Sequence, residues 1–496
     1  MKETMLLRLS RAVLTGLTGG ILLILLAAPV LAAGPGVPSF QSHEIARAAA
    51  LMPVGGTLRL DSVQVADTGE TAAFALERFQ VFADDAEITL HGDAGRKTVL
   101  PAPKNSYFRG TVEGEADSRV FLALLADGTT QGIVTRGGDT YLIGGDGAPA
   151  KALGAPLAMQ RVDPLLLKSA RNAGFTCGNE KLPLNHPFED LVPGPASASP
   201  LAKVATGALP AFTARVAIES DFEFYSLFNN PTAATTYVGN LIGYASTIYV
   251  NELNTSLLVQ SVSLWTTSSD PWNQSSSTLC GLMEFGRYWN LNKTGVSRTI
   301  AHFLSGRSLG GGIAWIGVLC NGSGGFGASA TCPGLPTDAN WGGGYGFTAS
   351  LNGGFDVNNP TVMWDIYAVS HEIGHNFNSP HSHCYNNIGG DPNPIDQCWS
   401  GEANCYSGST STPGPQGSGS GTIMSYCHQR PGGYSNIGLT FGTNFAYGVQ
   451  PGREASRMSS YVVSVASSNP SCLAFTSGGG AIFSDGFELG TTNAWQ

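Results

Sequence analysis

His371, Glu372, His375 and His381 are the residues of this chain whose types and spacing could do chemistry. At 3.6 residues per helical turn, positions 371 and 375 share one face, one turn apart, so both imidazoles can reach a single metal ion. Glu372 projects beside them, close enough to contact a water on that metal without being a ligand. A continuing helix could not bring His381 back to the same point, so the chain must stop and turn. Asn378 is placed to do this, because asparagine tolerates the left-handed conformation that ends helices. Pro380 then forbids continuation. Three histidines with an open fourth position describe a catalytic zinc rather than a structural one. Zinc lowers the pKa of a bound water from about 15.7 to about 7. Glu372 would take that water's proton and pass it to a leaving amine. A bare HExxH string arises by accident; the third histidine and the helix stop argue against accident here. His383 and His428 read as surface or structural histidines, and His43-Glu44 lacks a partner at the right spacing. Asp391 and Asp396 could bind calcium, but they read as ordinary surface carboxylates, so calcium is unsupported.

The elements around this stretch must hold it still. Met363, Trp364, Ile366 and Tyr367 give the preceding turns an apolar surface to bury. From about 211 onward the pattern predicts a strand at 212–218, a helix at 233–250, a strand at 257–265, a helix at 281–292, and strands at 299–304 and 312–319. Such alternation predicts an α/β sandwich with a mixed sheet. Residues 34 to about 165 instead alternate apolar and polar positions between Gly- and Asp-rich turns, which predicts an antiparallel β unit. Between them, 178–210 is interrupted by Pro183, Pro187, Pro193, Pro195 and Pro200 and reads as an exposed, cleavable linker. The stretch 407–421 reads as a Ser/Thr/Gly/Pro loop without core residues.

The first 33 residues read as a secretory signal. Lys2, Arg8 and Arg11 precede an uncharged apolar run, Pro29 breaks it, and Val30-Leu31-Ala32 offers small residues for cleavage. The competing reading is a retained membrane anchor. No later segment is long and apolar enough to cross a bilayer, so no stable membrane association is expected after cleavage. Of 496 residues, 42% are hydrophobic, enough to bury real cores and to exclude wholesale disorder. A net charge of -10 argues against a general nucleic-acid binder. Nine cysteines in an exported chain imply disulfides with one thiol left over, and Cys177 stands about a hundred residues before the next.

The zinc-binding stretch resembles the metzincin zinc endopeptidases, whose signature is HExxHxxGxxH followed by a Met-containing turn. Asn378 replaces the glycine. Gly421-Thr422-Ile423-Met424-Ser425-Tyr426 looks like the Met turn, which implies a supporting rather than ligating role for Met424. Tyr426 matches the astacin and serralysin pattern, which implies a tyrosine that approaches the zinc and stabilises the transition state; the alternative is a packed core tyrosine. Tyr107-Phe108-Arg109-Gly110-Thr111-Val112-Glu113-Gly114 resembles the adamalysin (reprolysin) propeptide. The stretches 301–306 and 312–320 resemble that branch's strands above the cleft, which makes 312–319 the edge that pairs with an extended substrate. Ser382 stands where adamalysins usually have Asp. Metzincin propeptides often place a Cys-Gly ahead of the linker, and Cys177-Gly178 is so placed, which implies a thiolate on the zinc in a latent form. Removing residues up to about 205 would then open the site.

The expected protein is therefore a secreted, monomeric zinc endopeptidase acting on protein or peptide substrates. Its segments are a signal peptide (1–33), a β-rich inhibitory propeptide (34–177), a linker (178–210), a metzincin-like α/β catalytic domain with a mixed sheet and an active-site helix (211–475), and a tail (476–496). The alternative is an inactive metzincin-like binding or adhesion module, whose usual mark would be loss of Glu372 or of a ligand.

Overall fold

The computed structural model describes residues 39–41, 52–144, 157–182 and 209–475, apart from 323–325, 328–330, 339, 444–446 and 448–451. The expected signal peptide, His43-Glu44, most of the linker and the tail lie outside the described residues.

The N-terminal strands are β1 (Ser39–Gln41), β2 (Thr57–Val65), β3 (Thr71–Phe79), β4 (Phe82–His91), β5 (Lys97–Pro101), β6 (Ser106–Val112), β7 (Arg119–Leu124), β8 (Thr130–Arg136), β9 (Asp139–Ile143), β10 (Ala158–Arg161) and β11 (Thr176–Cys177). Seven of them close on themselves in the order β2-β10-β9-β8-β7-β6-β3, with β3 pairing back to β2. The period-two pattern has the physical meaning expected of a closed sheet. Leu58, Leu60, Phe74, Leu76, Phe108, Val120, Leu122 and Val134 fill the interior. Phe79, Tyr107, Phe121, Ile133 and Leu142 point outward, yet they are buried in the main core of the molecule.

The second sheet adds β12 (Phe212–Ser220), β13 (Thr255–Trp265), β14 (Ile300–Leu304), β15 (Gly311–Ala314), β16 (Tyr345–Thr348) and β17 (Ala474–Phe475). Its order is β11-β15-β16-β14-β12-β13-β4-β5, with β17 paired to the start of β12. It is mixed, as the alternating pattern predicts: β13, β12, β14 and β16 run parallel, and β15 runs antiparallel to β16. Its outer strands come from the N-terminal part of the chain. The β4–β5 hairpin adds to β13, and β11 adds to β15. Alternation in a sequence reveals that a strand has one buried face, not which sheet it joins.

Among the described residues five α-helices complete the fold: α1 (Phe222–Ser226), α2 (Pro231–Leu253), α3 (Thr278–Asn292), α4 (Val362–Asn376) and α5 (Arg453–Ser468). The Asn230 side chain caps α2 at the Ala233 N–H, and Ser277 caps α3 at Cys280. α2 is buried over nearly its whole length because both sides are covered. Gly239 and Gly243 leave space for the rings of Tyr107, Phe82 and Phe121. On its other side, Leu253 and Ile248 join Leu257 and Val259 of β13 in the core.

The edge strand is shorter than the expected 312–319, and the reason is not local. After Ala314 the chain leaves the sheet, and the N–H groups of Gly317 and Val318 donate to the carbonyls of His375 and Asn376. They satisfy the end of α4, whose last carbonyls have no partner within the helix. The eight cysteines from Cys280 onward pair as Cys280–Cys332, Cys320–Cys472, Cys384–Cys405 and Cys398–Cys427, and Cys177 is free and buried.

Candidate metal centre

Every residue of α4 is buried, so its position is set by packing on all sides. Asp365 anchors its first turn, taking hydrogen bonds from the Tyr237 hydroxyl at 2.6 Å and from the backbone N–H groups of Asn352 and Gly353. At the other end, the Asn376 amide donates to the carbonyls of Trp315 and Tyr345, tying the helix to the sheet. Asn378 takes φ 77, the left-handed conformation that turns the chain toward His381.

The imidazoles converge. His371 Nδ1 donates to the Ile423 carbonyl at 2.7 Å, and His375 Nδ1 donates to the Ser379 carbonyl at 2.7 Å. His381 Nδ1 lies 2.6 Å from a Glu402 carboxylate oxygen. With each Nδ1–H used, the three Nε2 atoms carry lone pairs and face one another. His371 and His375 Nε2 are 3.1 Å apart, and the buried His381 Nε2 has no hydrogen-bond partner. Two lone pairs at that separation repel unless a cation lies between them, so this donor set fits a metal ion. Cys177 joins the group: its Sγ lies 3.4 Å from His375 Nε2, and the four ligand atoms all lie within 4.8 Å of one another.

The electrostatics agree with neutral imidazoles. Burial, then repulsion by the neighbouring histidines, holds His371 and His375 well below the ordinary range. Burial pushes the Glu372 carboxyl well above its usual value. Burial and the adjacent Glu372 do the same to the Cys177 thiol; a divalent cation at the site would reverse that direction. Glu372 lies against the backbone of β15, where a Cβ at Gly312 would collide with its carboxylate.

Met424 lies beneath the helix, its sulfur filling the space a Cβ at Gly374 would occupy, and its carbonyl accepts the Ser382 N–H. Tyr426 is buried with its ring 4.7 Å from that of His381. Its hydroxyl accepts the Cys177 N–H at 2.8 Å and donates to the Cys177 carbonyl at 3.0 Å. The segment carrying Cys177 lies along the site: Phe175 packs edge-on against His371, its carbonyl accepts from His428 Nε2, and Asn179 Oδ1 accepts the Ala314 N–H.

His383 and His428 are both buried, so neither is at the surface. His383 is buried with Nε2 3.0 Å from Glu402, and His428 is buried against Phe175 and Tyr367. The surface reading of Asp391 and Asp396 is likewise corrected: both side chains are buried, accepting the N–H of Asn393 and of Cys398 respectively. Arg453 of α5 reaches Asp391 and the carbonyls of Tyr385, Ile388 and Asn393, a non-local contact that covers the first of them.

Two site residues carry no motif. Glu402 bridges His381 and His383; burial pushes its carboxyl upward, but the two histidines outweigh that and hold it well below the usual range. Glu454, on α5, accepts from the hydroxyls of Ser382 and Thr422 and so joins the third-histidine turn to the Met turn. An acid 21 residues from the histidine it contacts leaves no periodic signal in the sequence.

A family model described as metallo-peptidase family M12 matches residues 212–437. Among solved structures, metalloproteinase-II from Bacteroides fragilis is similar at 13% identity and a TM-score of 0.32, covering 73% of this chain and 93% of that one. No curated protein matches. The matched residues contain α4, the third-histidine turn and the Met turn. Over residues 212–437 the chain is thus similar to the metallopeptidases of family M12 and is metzincin-like.

Proposed function

We propose that this chain is an exported zinc endopeptidase, held latent by residues 34–177 and activated by a cut within 178–210. The observation that carries the reading is the convergence of three histidine Nε2 atoms and the Cys177 sulfur on one point beside Glu372. Zinc held by His371, His375 and His381 would supply a Lewis acid for the attacking water and the scissile carbonyl.

The protein's own groups do the rest. Glu372, seated over Gly312, takes the water proton and delivers it to the leaving amine. The β15 edge receives an extended peptide by strand addition; β11 occupies that edge here. The Tyr426 hydroxyl, engaged by Cys177, becomes free to donate to the developing oxyanion once that segment leaves. Cys177 holds the fourth position in the latent form. The processed enzyme is a secreted monomer acting on proteins or peptides, with no nucleic-acid or stable membrane partner.

The test compares full-length wild type, Glu372→Gln and Cys177→Ala for zinc content and casein cleavage. All three should bind one zinc. Wild type should cleave only after being cut, and Cys177→Ala before cutting. Glu372→Gln should keep its zinc and lose about 10²–10⁴-fold in rate. Zinc without cleavage in any form would point to a binding module, and absence of zinc would sink the site.

A further inference from the structure

Two very different kinds of contact join the N-terminal residues to the metallopeptidase domain. Residues 162–182 form a strap over the site, held by the two-residue pairing of β11 with β15, by hydrogen bonds such as Trp364 to the Leu167 carbonyl, Asn172 to Asp365 and His428 to the Phe175 carbonyl, and by the buried side chains of Leu167, Phe175 and Cys177. Water or a bound peptide can replace the hydrogen bonds and the short strand pairing. The barrel and the β4–β5 hairpin are attached by continuous burial. β4 pairs with β13 from Ser261↔Glu87 to Trp265↔His91, and without it β13 becomes an open edge. The barrel's Phe121 meets Tyr244 edge-on at 6.1 Å and fits over Gly243, while Tyr107 and Phe82 fit over Gly239. Arg119 reaches the fully buried Glu252 at 3.1 Å and the Leu439 carbonyl at 2.6 Å, so departure of the barrel would leave a buried carboxylate without its cation.

We propose that the barrel and hairpin remain bound after the activating cut, as a permanent structural subunit of the enzyme, and that only the strap 162–182 unseats. The peptidase reading enters only in calling the cut an activation. A cut in the linker beyond the strap leaves the strap tethered at one end, through β10, and lets it peel from the site, β11 included, while β4 and β5 stay paired to β13. The partner that covers this α2 face and the β13 edge is thus the chain's own severed N-terminal fragment.

The experiment uses the full-length chain carrying Glu372→Gln, to prevent self-digestion, with a foreign protease site inserted between residues 190 and 200. After complete cutting, native mass spectrometry and size exclusion should show one species at the uncut mass. That species should persist in about 1 M salt, since the interface is largely apolar, and separate only in denaturant. Cys177 should become alkylated roughly tenfold faster after cutting. Separation of the fragments in native buffer, whether the larger stays soluble or precipitates, overturns the permanent subunit. Equal protection of Cys177 before and after the cut overturns the peeling strap. Neither readout depends on peptidase activity, so failure of the peptidase reading would appear separately in the casein assay.

Discussion

Each imidazole at the centre hands its Nδ1 proton to a different acceptor, and only one of the three is a side chain. The Ile423 and Ser379 carbonyls belong to the backbone, whereas Glu402 aims His381 through its carboxylate. A carboxylate behind a ligating histidine orients the ring and raises its basicity. Glu402→Gln should therefore weaken zinc affinity by about 10–100-fold, measured by competition with a chromogenic chelator. An unchanged affinity would reduce Glu402 to a packing role. The histidines themselves were legible because helical pitch is a local rule; the acid behind them was not, because its approach is made by a loop.

At the scale of elements, that loop is held by two disulfides. Cys384–Cys405 closes over Glu402, and Cys398–Cys427 ties its middle to the residue after Tyr426. Replacing Cys384 and Cys405 together by alanine should cost about 2–4 kcal/mol of stability, read by denaturant unfolding. It should also weaken zinc affinity, because Glu402 loses its tether; stability loss with unaltered zinc affinity would separate the disulfide from the site. The active-site helix and the turn at Asn378 follow from residue spacing and from asparagine's tolerance of positive φ. The early end of β15 does not, since it depends on carbonyls at the end of α4.

For the whole molecule, burial makes stability depend on acid. His302 on β14 is buried with Nε2 against the Thr348 hydroxyl, and burial lowers its pKa from 6.5 to about 3. A depressed pKa means the unfolded chain takes up the proton first. The stabilisation from the neutral ring is full above pH 6.5 and is lost as pH falls from 6.5 towards 3. Its size is on the order of a few kcal/mol. His428, lowered by burial to about 4, adds in the same direction. His302→Gln should flatten the fall in Tm between pH 6.5 and 4 relative to wild type; parallel Tm profiles would refute the assignment.

What the sequence alone determined was everything set by short spacing: two histidines on one helical face, a turn residue before the third, period-two strands in the N-terminal part and alternating elements after it. Tertiary structure alone decided that β4 and β5 complete the second sheet, that β11 lies on the β15 edge, that Glu402 and Glu454 reach the site, and that His383, Asp391 and Asp396 are buried. The division has one physical cause. Pitch and pleat act over a few residues and can be read along the chain, whereas strand partners, the covering of a loop and the acceptor of a ring proton depend on groups that only folding brings together.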